Sequence, residues 1–590
     1  MGRFTEALKA LDRQGATLAN LRTLTFLGSI AIVLAVIFEK LPAIALLGAV
    51  ATFAAYVWLA IVHARVIRNE DFAKVKLALN QRGVARLDGK WHEFPSTGEG
   101  KLPEGHLYAG DLDIVGKGSL FQRLDDTGTS AGEARLLGWL LEAAPSSDEI
   151  RSRQGAVKEL APLLDFRQSL VAEARLAGKK DKANPSRFLE WAEAPSALSA
   201  IRWAFPVAHV LPVVTLTCGL LSSNGVISSM PFYVGLILQI AIIVSTRKQI
   251  GAMWAALTLG ERGFVRFEET FRAIDAEKFQ VARLASLQKG LQDGPSVSQR
   301  LARFARLMGF AELKHSGQMH PIINALTLWD LLVLFRIDRW REEHGKGVRK
   351  WFESLAELEA LSSFASWNFE RPEDAFPEVG DGPVLVEATE LGHPLLEKPV
   401  KNDVKFFPAP GHGLVITGSN MSGKTTLMRA TGLNTVMALA GLPVCAKSMK
   451  VNRVQVLTSM RVKDSLERGV SYFYAEVQRI KTVLDTAKAH KDRCLFFLDE
   501  LFMGTNAKER QIASKQLLMM LLDLGASGAV TTHDLSITEL AAERPSAIRN
   551  VHFRDEMKDG EMIFDYRLRE GVVQTTNALE VLRRAGVQVG

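Results

Sequence analysis

Gly418, Ser419, Asn420, Met421, Ser422, Gly423, Lys424 and Thr425 follow directly on the apolar run Leu414-Val415-Ile416-Thr417. Glycines in such a loop let the backbone curl closely, so that successive N–H groups surround phosphate oxygens while Lys424 reaches the β/γ-phosphates. The Thr425 hydroxyl is placed for Mg2+, and Thr426 continues the opening helix. A strand, this loop and a helix in that order make a phosphate-binding P-loop, so the chain is expected to bind ATP with Mg2+. The competing explanation is a chance match of the pattern.

A second acidic element should hold the metal. Cys494-Leu495-Phe496-Phe497-Leu498 reads as a buried strand and ends in Asp499-Glu500. Asp499 is expected in the metal shell. Glu500 stands where a hydrolytic enzyme places the group that polarises the attacking water, because phosphoryl transfer is mostly positioning and charge stabilisation. An acidic pair at a strand end is the plainer alternative. His533, after Gly528-Ala529-Val530-Thr531-Thr532, is placed to sense a γ-phosphate from a neighbouring strand end. A lone histidine is more often structural, so its assignment rests on its order in the chain. The expected catalytic set is Glu500, His533 and Lys424.

These residues resemble the ATPase domain of the MutS family of DNA mismatch repair proteins, over Gly392 to Gly586. Thr417 to Lys424 has the family's Thr-Gly-x-Asn-Met-x-Gly-Lys form. Gly392-His393-Pro394-Leu395 with Asn402-Asp403-Val404 resembles the strand pair that leads into the family's nucleotide site. Asp464 to Phe473, with Glu476, is similar to the signature loop that reaches across a dimer, which implies that Ser471 contacts the partner subunit's nucleotide. Asp499-Glu500, Gly504-Thr505-Asn506 and Thr532-His533 keep the family's order, and Tyr566-Arg567-Leu568 to Ala585-Gly586 resembles its closing segment. Upstream, Asp126-Thr127, Thr129, Gly132, Arg135-Leu136-Leu137, Trp139-Leu140 and Arg153-Gln154 resemble the start of its helical core. Tyr108 to Gly116, then Ser119-Leu120-Phe121, reads as a short strand and turn resembling a membrane-anchored branch of the family, or as plain turn chemistry.

The elements that position this site include unusually apolar ones. Thr23 to Phe38 and Leu41 to Val62 are charge-free runs separated only by Glu39 and Lys40. They predict a transmembrane hairpin, the first run spanning about 24 Å at about 1.5 Å per residue and snorkelling through Arg22 and Lys40. Trp203 to Leu221 and Phe232 to Thr246 predict a second, containing Pro206, Pro212 and His209, which is expected to be buried and hydrogen-bonded, with a functional role as the alternative; a buried soluble hairpin is the alternative for the pair. A cleaved signal peptide fits poorly, since no small-residue cleavage site separates the first two runs. Arg and Lys flank the open ends of both pairs, which places the body in the cytoplasm. From Gln249 to Phe369 apolar residues recur at helical intervals: Phe264, Phe267, Phe271 and Ile274; Leu301, Phe304, Leu307 and Met308; Leu328, Leu331, Leu332 and Phe335. They predict long levers, ending in a linker at Pro377, Gly380, Gly382 and Pro383.

At 590 residues the chain has room for several domains, and a mean hydropathy of +0.06 is high for 23% charged residues. The net charge of +7, from 72 basic and 65 acidic residues, does not by itself argue for nucleic acid. Cys218, Cys445 and Cys494 have no metal or redox spacing, so a reducing compartment is expected. Phe4-Thr5-Glu6 spells the family's mismatch-reading tripeptide, but too few residues separate it from the first apolar run to fold a reading domain. Pro399-Val400 stands where relatives place a base-stacking aromatic, and a helix-turn-helix extension is not expected beyond Gly590. The expected architecture is a cytoplasmic segment (1–22), hairpin one (23–62), a region opening a MutS-like core (63–202), hairpin two (203–246), helical levers and linker (247–384), and an α/β P-loop, ABC-type ATPase domain (385–590). The resemblance implies a homodimer hydrolysing ATP at its interface, and the apolar runs predict that it is anchored in a membrane. Partners expected are the lipid bilayer and DNA, or unidentified proteins if the enzyme remodels a membrane or a partner without touching DNA.

Overall fold

The computed structural model describes residues 2–573, apart from 104, 179–181, 265, 316, 318, 408–410, 461–471 and 559–560. Ten strands occur among the described residues: β1 (Glu378–Gly380), β2 (Val386–Leu391), β3 (Asn402–Phe406), β4 (Gly413–Thr417), β5 (Ser448–Asn452), β6 (Gln455–Ser459), β7 (Cys494–Asp499), β8 (Ser527–Thr531), β9 (Ile548–Lys558) and β10 (Glu561–Glu570). They form a four-stranded sheet, β1-β5-β2-β3, and a six-stranded sheet, β10-β9-β4-β8-β7-β6. In the larger sheet β9, β4, β8, β7 and β6 are parallel and β10 is an antiparallel edge. Every residue of β4 and β8 is buried, as parallel strands covered on both faces by helices must be. This is why the sequence shows continuous apolar runs there.

Outside the two sheets the described residues are mostly helical. Thr129 caps the helix Ser130–Leu141, its hydroxyl accepting from Gly132 N at 2.9 Å. The long helix Trp329–Glu370, the lever, crosses this body and buries Glu359 completely against that cap. Glu359 accepts from Gly128 N (3.1 Å), Thr129 N (3.3 Å) and Thr129 Oγ1 (2.5 Å). A Cβ on Gly132 would run into the Glu359 side chain, and one on Gly128 would stand 2.6 Å from the Ala174 Cβ. The Thr-x-x-Gly pattern is therefore a seat for the lever.

Tyr108 to Gly116 forms turns rather than a strand and turn, in keeping with the plain turn chemistry of its glycines and acidic residues. Leu112 N bonds Tyr108 O and Ile114 N bonds Ala109 O, while Leu107 O, just before the segment, accepts from Thr458 N of β6 at 3.1 Å. Asp111 accepts from Thr458 Oγ1 (2.6 Å) and Met460 N (3.1 Å), fastening the turn to the end of β6.

Among the described residues four helices are long and apolar enough to cross a membrane. Gly2–Ile37 and Leu46–Leu87 pack side by side, with Ser29 Oγ donating to Ala49 O at 3.1 Å. Both continue well past the apolar runs, so Phe4 lies on a helical turn, its ring 5.9 Å from Lys76 Nζ. Ala204–Ser223 and Met230–Phe264 form the second pair. His209 there bonds Phe205 O at 2.9 Å, as expected, but it is exposed on the outer face of its helix rather than buried. The stripe beginning at Leu328 is not one uninterrupted lever with the residues before it. Leu328 takes a left-handed conformation (φ 52°), and the helices Met319–Thr327 and Trp329–Glu370 meet there at 78°.

Candidate functional site

The loop after β4, the carboxylates after β7 and the histidine after β8 meet at one edge of the sheet, because β7, β8 and β4 are adjacent and parallel. Ligands of open α/β sheets bind at that carboxyl edge. Gly418 (φ 148°) and Gly423 (φ 110°) make the turns of the loop, and the helix Lys424–Ala440 starts from it.

Thr425 Oγ1 donates to Asp499 Oδ2 at 2.8 Å, and Thr531 Oγ1 donates to Asp499 Oδ1. Both oxygens of Asp499 are thus oriented beside the hydroxyl expected to share a metal with it. Glu500 adopts a left-handed backbone (φ 44°), with its N–H bonded to Thr531 Oγ1 at 3.2 Å. Such a conformation is held by its surroundings, and here Glu476 supplies part of the hold by accepting from Phe502 N at 2.5 Å. Burial raises the Glu476 carboxyl pKa, while bonds from the Phe502 and Met503 backbone oppose the rise.

His533 Nε2 lies 2.8 Å from Glu500 Oε1, 2.9 Å from Asn420 Oδ1 and 3.4 Å from Lys424 Nζ. One N–H can be shared by the two oxygens, which leaves that nitrogen no lone pair for the ammonium. Lys424 instead folds back onto Gly418 O (2.9 Å) and Ser419 O (3.0 Å). Its burial lowers its pKa, opposed by the charges of Glu500 and Asp499. The buried hydroxyls of Ser419 and Ser422 have no hydrogen-bond partner among the described residues. An oxygen-rich ligand in the loop would satisfy these orphaned groups, so the residues present fit a nucleotide phosphate and its Mg2+.

Beside the loop is a cavity of about 420 Å3, walled by His393, Leu396, Pro399, Val400, Met421 and Tyr566 among others. A Cβ on Gly423 would stand 3.2 Å from the Tyr566 ring, so glycine lets the ring close over the loop. Asn402 holds this stretch in place, donating to Tyr566 O (3.0 Å) and accepting from Leu568 N (2.8 Å). Burial pushes the His393 pKa down to about 4, so the imidazole is neutral.

Gly418 to Thr426, Asp499, Glu500 and His533 are therefore brought together, whereas Ser471 and the rest of 464–471 lie outside the described residues, as do Ala585 and Gly586. Two contributors were missed by sequence reading. Thr531 aligns with Asp499 only through the strand register. Tyr566 reaches the loop from an edge strand, and its sequence neighbourhood carries no base-binding pattern.

The profile of MutS domain V matches residues 414–589. Among similar proteins, the DNA mismatch repair protein MutS of Myxococcus xanthus is 26% identical over 527 residues, covering 80% of this chain and 56% of that protein. MutS of Brevibacillus brevis is 33% identical over 40% of this chain and 27% of its own length. DNA mismatch repair protein MSH3 of Phaeosphaeria nodorum is 31% identical over 41% of this chain and 22% of its own. The chain thus spans from about a fifth to just over half of these relatives. Residues 414–589 thus match the model of MutS domain V, and longer stretches of the chain are similar to DNA mismatch repair proteins.

Proposed function

We propose that this chain is a membrane-anchored Mg2+-dependent ATP hydrolase of the MutS type, acting as a dimer and working on its own membrane helices through the lever. The observation that carries the proposal is the convergence of Lys424, Thr425, Asp499, Glu500 and His533 on one loop with unpaired buried hydroxyls. Loop amides and Lys424 would hold the phosphates, leaving the Gly418 and Ser419 carbonyls. Thr425 and Asp499 would hold Mg2+, which when bound offsets phosphate charge. Glu500, oriented by His533, would position and polarise the attacking water. The cavity under Tyr566 would take the base. Ser471 of the partner subunit would complete each site.

At its C-terminal end the lever is tied to this site. Arg371, just past the helix, donates to Pro394 O at 2.6 Å, as Arg123 does at 3.2 Å, and Pro394 follows His393 in the cavity wall. At its other end the lever packs on the second apolar hairpin. That continuity favours a membrane output.

A second reading, a DNA-handling ATPase tethered to the membrane, is favoured by the names of the relatives, which are DNA mismatch repair proteins. The two separate in one assay: ATPase rate of the solubilised protein with and without homoduplex, mismatched and branched DNA, with Glu500→Gln as the blank. Hydrolysis absent in the blank and indifferent to every DNA supports the membrane reading. DNA-dependent hydrolysis moves the conclusion to the second. A rate equal to the blank overturns both.

A further inference from the structure

We infer that residues 319–335 form a re-entrant element that dips into the lipid bilayer beside the second hairpin, so that the lever itself begins inside the membrane. The inference rests on reading that hairpin as membrane-spanning. The short helix Met319–Thr327 packs against both Ala204–Ser223 and Met230–Phe264. The contact is made at depth. Gln239, fully buried, pairs its amide with Thr215, and with the amide nitrogen turned towards the short helix it donates to Ala325 O (2.6 Å) and Leu326 O (3.1 Å) while its oxygen accepts from Thr215 Oγ1 (2.8 Å). Gln239 stands eight positions before Arg247. On a helix that is about 12 Å, close to the middle of a hydrocarbon core about 30 Å thick.

In hydrocarbon a broken helix must have its freed backbone groups satisfied by protein. This break meets that demand. Gln239 reaches the two carbonyls just before Leu328, and Leu328 N bonds Asn324 O at 2.9 Å. Asn324 also accepts from Asp330 N (3.0 Å) and donates to Asp330 Oδ2 (3.1 Å), while His320 Nε2 lies 2.9 Å from Asp330 Oδ1. The polar side chains of the segment are turned on each other. Phe310, Met319 and Ile322 are instead more than half exposed, as are Val210, Val213 and Val214 on the hairpin against which the short helix packs. Lipid acyl chains are the occupant that fits apolar side chains left exposed on an element packed against a membrane hairpin.

Both flanks lead back to the body, so the element enters and leaves on one side. The helix before it, Val297–Ala311, sets the Phe304 ring 4.6 Å from Trp340 of the lever, whose Nε1 donates to Arg300 O at 3.0 Å.

The test uses the full chain in lipid nanodiscs, on a Cys218→Ala background, since Cys445 and Cys494 are buried. Single cysteines are placed by Ile322→Cys, by Val214→Cys on the hairpin and by Arg303→Cys on the preceding helix. Each carries an environment-sensitive fluorophore, and the lipid carries a nitroxide midway along its acyl chain. Loss of fluorescence at positions 214 and 322 but not at 303 is expected. Quenching at 214 with position 322 behaving like 303 overturns the re-entrant element and leaves the hairpin in place. Fluorescence retained at all three overturns the hairpin reading and this inference with it. Quenching at all three also overturns the inference, because the element would then be no deeper than the body.

Discussion

Glu500 and His533 share one hydrogen bond at the edge of the sheet, so each sets the other's orientation. Replacing the carboxylate by an amide keeps the shape but removes the charge that polarises water. Glu500→Gln is expected to lower the ATPase rate about 10^2- to 10^4-fold while nucleotide binding persists, read by turnover and by fluorescent-nucleotide titration. On the proposed reading of the cavity, Tyr566→Ala would remove a face on which the base stacks, worth about 1–3 kcal/mol. It should weaken nucleotide affinity about five-fold to a hundred-fold with a smaller change in rate at saturation. Glu359 gives a pH signature away from the site. Burial raises its pKa to about 7 from the ordinary value of 4.5, although Thr129 and Gly128 stabilise the charge. The folded protein therefore keeps a proton that the unfolded chain gives up. That contribution to stability is whole below pH 4.5 and lost as pH rises through about 7, and Glu359→Gln is expected to flatten this part of the stability–pH curve measured by denaturant unfolding. Lys424, Thr425, Asp499 and Glu500 were legible in sequence because their chemistry demands fixed spacing along the chain. Thr531 and Tyr566 were not, because strand register and edge pairing bring them there.

Among the elements, the apolar runs announced the four long helices, since hydropathy is a property of consecutive residues. The helical stalks beyond them and the break at Leu328 were hidden. Leucine carries no turn signal, and the left-handed residue is held by Asn324 and its neighbours rather than by its own type. Near Tyr108 the glycines and acidic residues of the segment carried the turn signal, and turns are what form there. The seat of the lever makes its own prediction. Gly132→Ala drives a methyl group into the buried Glu359 side chain and is expected to destabilise the body by about 1–3 kcal/mol, seen as a lower denaturant midpoint with an unchanged slope. Serine at the same place should be no better tolerated.

At the scale of the molecule, three parts are pinned by one buried cluster. Arg86, from the second helix of the first hairpin, bonds Glu370 at the end of the lever (2.7 and 2.9 Å) and Asp126 of the body (2.8 Å). Arg86→Met removes the buried partner of Glu370 and leaves Asp126 only the longer pair with Arg82 (3.5 Å), and is expected to destabilise by about 3–5 kcal/mol. If this junction carries motion, lipid composition should cease to alter the ATPase rate in the variant, measured in nanodiscs at a temperature where it remains folded. The lever has a mechanical consequence of its own. Its 42 residues make a rod about 63 Å long at about 1.5 Å per residue. Pivoting by about 5° at the nucleotide end would swing the Leu328 end through about 5 Å, roughly one helical turn. Angular amplification of this kind would turn sub-ångström adjustments around bound phosphate into a stroke as large as the pitch of the helices it meets.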